Sequence, residues 1–346
     1  MTTPMAGPDR FRDREIVFAN GAAGTTIDIP SASPANYRQA VAAPGDMPRV
    51  TIDGKLFLPP AAARGPAARL PLVIVVPGSL GVAPSHVAHA ETLTGAGFAA
   101  FVLDGFGARG VASTVANQTQ FSFAASAYDV LAAWSVLAAH PAIDATRIGA
   151  QGHSRGGSAV LTAATRRFAD AVVGPGRGLI GVLAAYPWSG HQFLDPRTGT
   201  TEVRAIMGDA DEWCSPMQAQ GHVQAIRVAG GSASMRLFAG AQRGVLRQFH
   251  RREPGGVAAV ADGNRVALAG RQLIDEGARD LAAYLHDIFI RREQGFGAAR
   301  FEPVALGFHG PGIFLADLFQ TLRRDGLEGV AGLGPLGFVA RAEGQE

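Results

Sequence analysis

Six short apolar runs constrain this chain more than any other feature. They read PLVIVVPG (71–78), FAAFVLD (98–104), RIGAQG (147–152), LIGVLAAYP (179–187), EVRAIMG (202–208) and ASMRLFAG (233–240). Each is too short for a helix, and the first two are continuously apolar, as strands covered on both faces are. Helical stretches lie between them: about 84–96, FSFAASAYDVLAAWSVLAAH, SRGGSAVLTAATRRFA and about 216–229. GRQLIDEGARDLAAYLHDIFIRR closes the series as a last helix. Strand and helix in alternation predict an α/β fold, a mostly parallel, doubly wound sheet with helices on both faces. Upstream, RVTIDGKLFLP alternates apolar and polar residues like an exposed or edge strand, and AAARGPAARLP reads as a linker.

These runs organise the chain into three parts. Residues 1–47 read as a loop-like N-terminal extension, 48–292 as the α/β domain and 293–346 as a C-terminal extension. In the last part, GIFLADLFQTLRR places Ile313, Leu315, Leu318, Phe319 and Leu322 near one helical face. That stripe is expected to dock on the main domain or on a second subunit, the route to a homodimer.

Composition removes several function classes. The 346 residues are 47% hydrophobic and 17% charged, which is globular. The net charge is +2, and the arginines are dispersed, so the clustered basic face of a nucleic-acid binder is missing. Cys214 is the single cysteine, which rules out an internal disulfide. No run of about 18 apolar residues is present, so no membrane span is expected. The start, MTTPMAGPDRFRDRE, lacks the apolar core of a signal peptide, and a cytoplasmic location is the expectation. Neither clustered Cys/His ligands nor a P-loop occurs, and no cofactor or metal is predicted.

Chemistry concentrates in RIGAQGHSRGGSAV (147–160), where Ser154 stands in a G-x-S-x-G frame. In a chain with 45 glycines the pattern alone is weak evidence. Its position decides: Ser154 falls at the C-terminal end of a buried strand and the start of a helix, where the turn lifts a hydroxyl clear of the backbone. The plainer reading is a serine that caps the helix. A serine nucleophile needs a base within reach and a carboxylate to orient that base, in the chain order Ser, Asp/Glu, His. After EVRAIMG come Asp209, Asp211 and Glu212. Asp211 is preferred because three residues past Gly208 the loop can turn back to the sheet end. The first histidine beyond the last strand is His250, so the base falls there; Gln242 and Arg243 occupy the earlier loop positions. For the oxyanion, the backbone N–H of Arg155 is one expected donor. The second is Ser79 in Pro77-Gly78-Ser79-Leu80-Gly81, with Leu80 as the neighbouring alternative and substrate contact.

With these residues assembled, the chain resembles the dienelactone hydrolase family of the α/β-hydrolase superfamily from about residue 50 to 290. VVPGSLGV, FVLDGFGARGV, HPAIDATRIGAQGHSRGGSAV and IMGDADEWCSP carry the resemblance. The family's namesakes use a cysteine nucleophile, and Ser154 groups this chain with serine-bearing, esterase-like relatives. Members usually follow the last strand with a glycine-alanine turn and a histidine; FAGAQRG has the turn without the histidine. The resemblance implies a serine hydrolase with a small-molecule ester or lactone substrate and a Ser154–Asp211–His250 triad.

Two other readings compete. Gly105-Phe106-Gly107-Ala108-Arg109-Gly110 matches a dinucleotide fingerprint, but VASTVANQTQ follows it where a helix should open. Arg109 is then expected either to meet a substrate carboxylate or to pair with Asp104. Trp188, after LIGVLAAYP, is expected to wall an acyl or aryl pocket or to cap the core. The displaced histidine also allows a non-catalytic binding protein on the same fold.

Overall fold

The structure is a computed structural model and describes residues 10–60 and 69–241. His250, the closing helix and the segment 293–346 lie outside the described residues. One eight-stranded sheet holds them in the order β1-β2-β4-β3-β5-β6-β7-β8. The strands are β1 (Gly24–Ala32), β2 (Arg49–Phe57), β3 (Leu70–Val76), β4 (Ala99–Asp104), β5 (Ile143–His153), β6 (Gly181–Ala185), β7 (Glu202–Gly208) and β8 (Ala233–Phe238). β2 runs antiparallel to both β1 and β4, and all other neighbours are parallel. This is the mostly parallel α/β sheet that the alternating runs predict, and the α/β-hydrolase fold that the resemblance implies.

Two expectations at the N-terminal end are corrected. Residues 1–47 contain a strand rather than only loop, because β1 pairs along its whole length with β2. The exposed edge is therefore β1, and β2 is an interior strand with Ile52, Leu56 and Phe57 buried. The boundary at residue 47 separates two strands of one sheet.

The alternation of side chains along each strand splits the core in two. Leu72, Ile74 and Val76 of β3 join Phe101, Leu103 and Ile148 in one cluster. Helices α1 (Tyr37–Ala42), α3 (Phe123–Ala138), α4 (Arg155–Ala164) and α5 (Arg166–Val173) supply its cover. Val73 and Val75 point the other way, against Phe57, Ala100 and Val102 and under Ala90 and Leu93 of α2 (Pro84–Gly95). Helix α6 (Pro216–Val228) packs beside β7 and β8. The single predicted helix at 154–169 is two: Thr165 takes an extended backbone (φ −71°, ψ 124°) between α4 and α5. No helix among the described residues is long and apolar enough to cross a membrane.

Candidate active site

The local sequence explains the turn after β5. Ser154 sits between strand and helix with φ 56° and ψ −113°, a conformation that costs an L-residue of order 1–3 kcal/mol. The chain around it can reverse only because its neighbours lack side chains. A Cβ at Gly152 would collide with the Gly156 carbonyl, and one at Gly156 would overlap the Val76 carbonyl and lie 2.5 Å from that of Pro77. The turn is held by Ser154 N–H donating to Ala185 O at 2.9 Å, and Ser154 O accepts from Ser158 N–H at 3.0 Å. The serine makes no side-chain capping bond to α4, so the plainer reading of it as a helix cap does not hold. Its hydroxyl stands at the N-terminus of α4, where backbone N–H groups and the helix dipole favour negative charge.

Three parallel strands set the place of Asp211. β5, β6 and β7 are consecutive neighbours, so the chain leaving β7 passes about 10 Å from that leaving β5. Just past β7, Asp211 is 5% exposed, and its Oδ1 accepts from Trp213 N–H and Cys214 N–H, both at 2.9 Å. Its Oδ2 is buried and has no hydrogen-bond partner among the described residues. Such an oxygen costs free energy until a donor meets it. Asp209 plays a different part, because its Oδ1 accepts from Gly240 N–H at 2.7 Å and fixes the turn after β8. Glu212 is exposed.

The turn after β3 lies beside the serine. A Cβ at Gly78 would stand 3.4 Å from that of Ser154, and the turn closes by Gly81 N–H donating to Gly78 O at 3.0 Å, with Gly81 at φ 70°. The Ser79 carbonyl accepts from Thr114 N–H at 2.7 Å and from the Ser113 hydroxyl at 3.1 Å, which fixes its peptide planes. Leu80 is 47% exposed beside it.

Two arginines are engaged inside the fold. The Arg155 side chain plunges under the turn, its guanidinium 4.6 Å from the Phe121 ring centre and 4.1 Å from that of Phe123. Burial lowers its pKa to about 10. Arg109 does not pair with Asp104, and its buried guanidinium is taken up by partners other than a substrate carboxylate. It pairs in bidentate fashion with Asp129 of α3 at 2.6 and 2.9 Å, and donates to Ser33 Oγ, Ala32 O and Gly105 O. Asp104 instead accepts from Phe106 and Gly107 N–H and shapes the turn at Gly107–Arg109. Trp188 packs on Phe123 and His191, with ring centres 4.7 and 4.8 Å away, and its carbonyl accepts from the Ser158 hydroxyl.

Three histidines among the described residues have other surroundings. His153 packs on His89 and His86 of α2. His191 meets the Tyr37 hydroxyl, and burial lowers its pKa to about 4. His222 of α6 is likewise pushed down to about 4, by burial first and by His191 second. Among the described residues no group of three His, Cys, Asp or Glu side chains could hold a metal ion.

The model of the dienelactone hydrolase family matches residues 53–268, well over half the chain. The chain belongs to that family. As a family member it is a carboxylic ester hydrolase acting on a small-molecule substrate. Solved structures are similar at low identity. An α/β hydrolase enzyme, MGS-M1, from a Medee basin deep-sea metagenome library is similar at 19% identity and TM-score 0.50, over 78% of this chain and 99% of that one. A propionate-bound thermophilic esterase from the Planctomycetes species Thermogutta terrifontis is similar at 17% identity and TM-score 0.49, over 73% and 93% of the two chains. No curated protein sequence matches this family member.

Proposed function

We propose that this hydrolase cleaves carboxylic esters or lactones through an acyl-enzyme on Ser154. The observation that carries the reading is the backbone of Ser154, held at φ 56° between two glycines whose replacement the surrounding carbonyls forbid. Strain of this kind persists only where the surrounding fold enforces it, and it clusters at reacting residues.

In this mechanism the Ser154 hydroxyl attacks the ester carbonyl and passes its proton to the imidazole of His250. The oxyanion is received by the backbone N–H groups of Arg155 and Ser79, at the start of α4 and in the Gly78–Gly81 turn. Collapse of the tetrahedral species breaks the ester bond, and the imidazolium returns the proton to the departing alcohol. Water then repeats the sequence on the acyl-serine and releases the acid. Asp211 orients the base: Oδ1 is anchored on two backbone amides, and Oδ2 remains for an imidazole N–H. His250 is assigned from chain order alone. Leu80, in the turn after β3, and Trp188, past the end of β6, are the side chains proposed to contact the substrate.

The test is a panel of short-chain, aryl and lactone esters with a fluorophosphonate serine probe, on the wild type, Ser154→Ala and His250→Ala. Wild type should turn over esters and take the label. Both variants should lose about three orders of magnitude or more in kcat, because the members act as a unit. A wild type inert to esters and to the probe would leave a binding protein on this fold.

A further inference from the structure

The oxyanion donors proposed above come from two separate segments, the turn after β3 and the start of α4. Their spacing must hold to within about 0.5 Å for both to meet one oxygen. A third segment joins them. In the loop 113–121, the Gln118 amide oxygen accepts from the Ser79 hydroxyl at 3.1 Å, from Arg155 Nη1 at 3.2 Å and from the Thr114 hydroxyl at 3.4 Å. Arginine can only donate, so the atom facing it is the amide oxygen and the orientation of the side chain follows.

Gln118 holds Arg155 with its backbone as well: its carbonyl accepts from Nη1 at 3.0 Å. The other guanidinium donors reach Phe121 O at 2.5 Å and Ser126 Oγ at 3.1 Å, with Phe121 and Phe123 beside the cation. This charge is therefore met by uncharged acceptors and rings rather than by a hydrogen-bonded carboxylate. Its neighbours in the loop bond locally: Asn117 to Thr119, and Gln120 to Ser113 and Asn117 carbonyls. Among the described residues, the Gln118 side chain is the one that hydrogen-bonds to both donor-bearing residues.

We propose that Gln118 is a positioning residue of the oxyanion hole, bracing the Ser79 turn against the buried Arg155 side chain and so fixing the distance between two backbone donors. It acts through them and touches no reacting atom. The proposal rests on the hydrolase reading above and specifies how that site is held.

The test uses the full chain, with p-nitrophenyl ester kinetics and fluorophosphonate labelling of the wild type, Gln118→Ala, Gln118→Glu, Ser79→Ala and Thr119→Ala. Gln118→Ala should lower kcat roughly 10- to 100-fold with KM nearly unchanged, less than the loss of a whole donor. Gln118→Glu keeps an acceptor toward Arg155 and Ser79 and should recover most of that loss, while Thr119→Ala should match the wild type. If Gln118→Ala does not fold, Ser79→Ala decides, since it keeps the backbone N–H and removes only the hydroxyl that meets Gln118; a kcat reduced about tenfold is expected. An unchanged kcat in the deciding variant overturns the brace, as does a loss that Gln118→Glu fails to rescue. A wild type that neither labels nor turns over esters overturns the hydrolase reading and this proposal with it, an outcome distinct from an active enzyme indifferent to Gln118.

Discussion

The two oxygens of Asp211 differ in kind, and that difference can be measured. Asp211→Asn keeps an oxygen for the amides of Trp213 and Cys214. It replaces the buried, unbonded Oδ2 with an NH2, which offers a second donor where the proposed base needs an acceptor. Turnover should fall by about 10³- to 10⁴-fold with KM little changed. Asp209→Asn disturbs only the bond from Gly240, so its ester kinetics should stay near wild type. If the two variants exchange these phenotypes, the acid is Asp209. The positions of the proposed nucleophile and acid, Ser154 and Asp211, at the ends of β5 and β7 were legible because glycines mark those strand ends. Gln118 was not legible: it sits in a polar loop among similar residues, and its partners lie 39 and 37 positions away. Arg109 was misread for the same reason, since Asp129 is twenty residues further along, while Asp104 is near in sequence.

At the level of elements, the loop after β4 does more than connect. Arg109 ties the end of β1, through Ala32 O and Ser33 Oγ, to Asp129 on α3. Both side chains are almost fully covered, at 7% and 2% exposure. Arg109→Met should cost about 3–5 kcal/mol, because it strands a buried carboxylate that burial already pushes toward its neutral form. Adding Asp129→Asn should return most of that loss, and urea unfolding of the single and double variants reads both. Gly156→Ala tests the turn itself: its methyl has only the Val76 and Pro77 carbonyls to meet, and little soluble folded protein is expected. Sequence placed most elements well, β7 among them, and missed β1, the short α1 in the same N-terminal stretch, and the break between α4 and α5. β1 reads GTTIDIPSA, whose Pro, Asp and small polar residues resemble a loop although they suit an edge strand. The break at Thr165 has no glycine or proline to announce it, and Arg166 N–H there donates to the distant Arg197 O at 2.8 Å.

The whole molecule carries a pH dependence. His191 and His222 are held neutral in the fold, with values near 4, whereas an unfolded chain protonates them near pH 6.5. Between those limits the unfolded state binds more protons, so stability is full above about pH 6.5 and falls as the pH drops toward 4. The loss is on the order of a few kcal/mol, and His222→Gln should make urea midpoints between pH 7 and pH 5 depend less on pH. The backbone of Ser154 pulls the molecule in another direction. Its φ of 56° and ψ of −113° suit glycine, so Ser154→Gly should unfold some 2–4 °C above the wild type while turning over nothing. The better folder is then the dead enzyme. A lineage released from any need for the activity would drift toward glycine at this position, and what survived in its descendants would be the architecture without its chemistry.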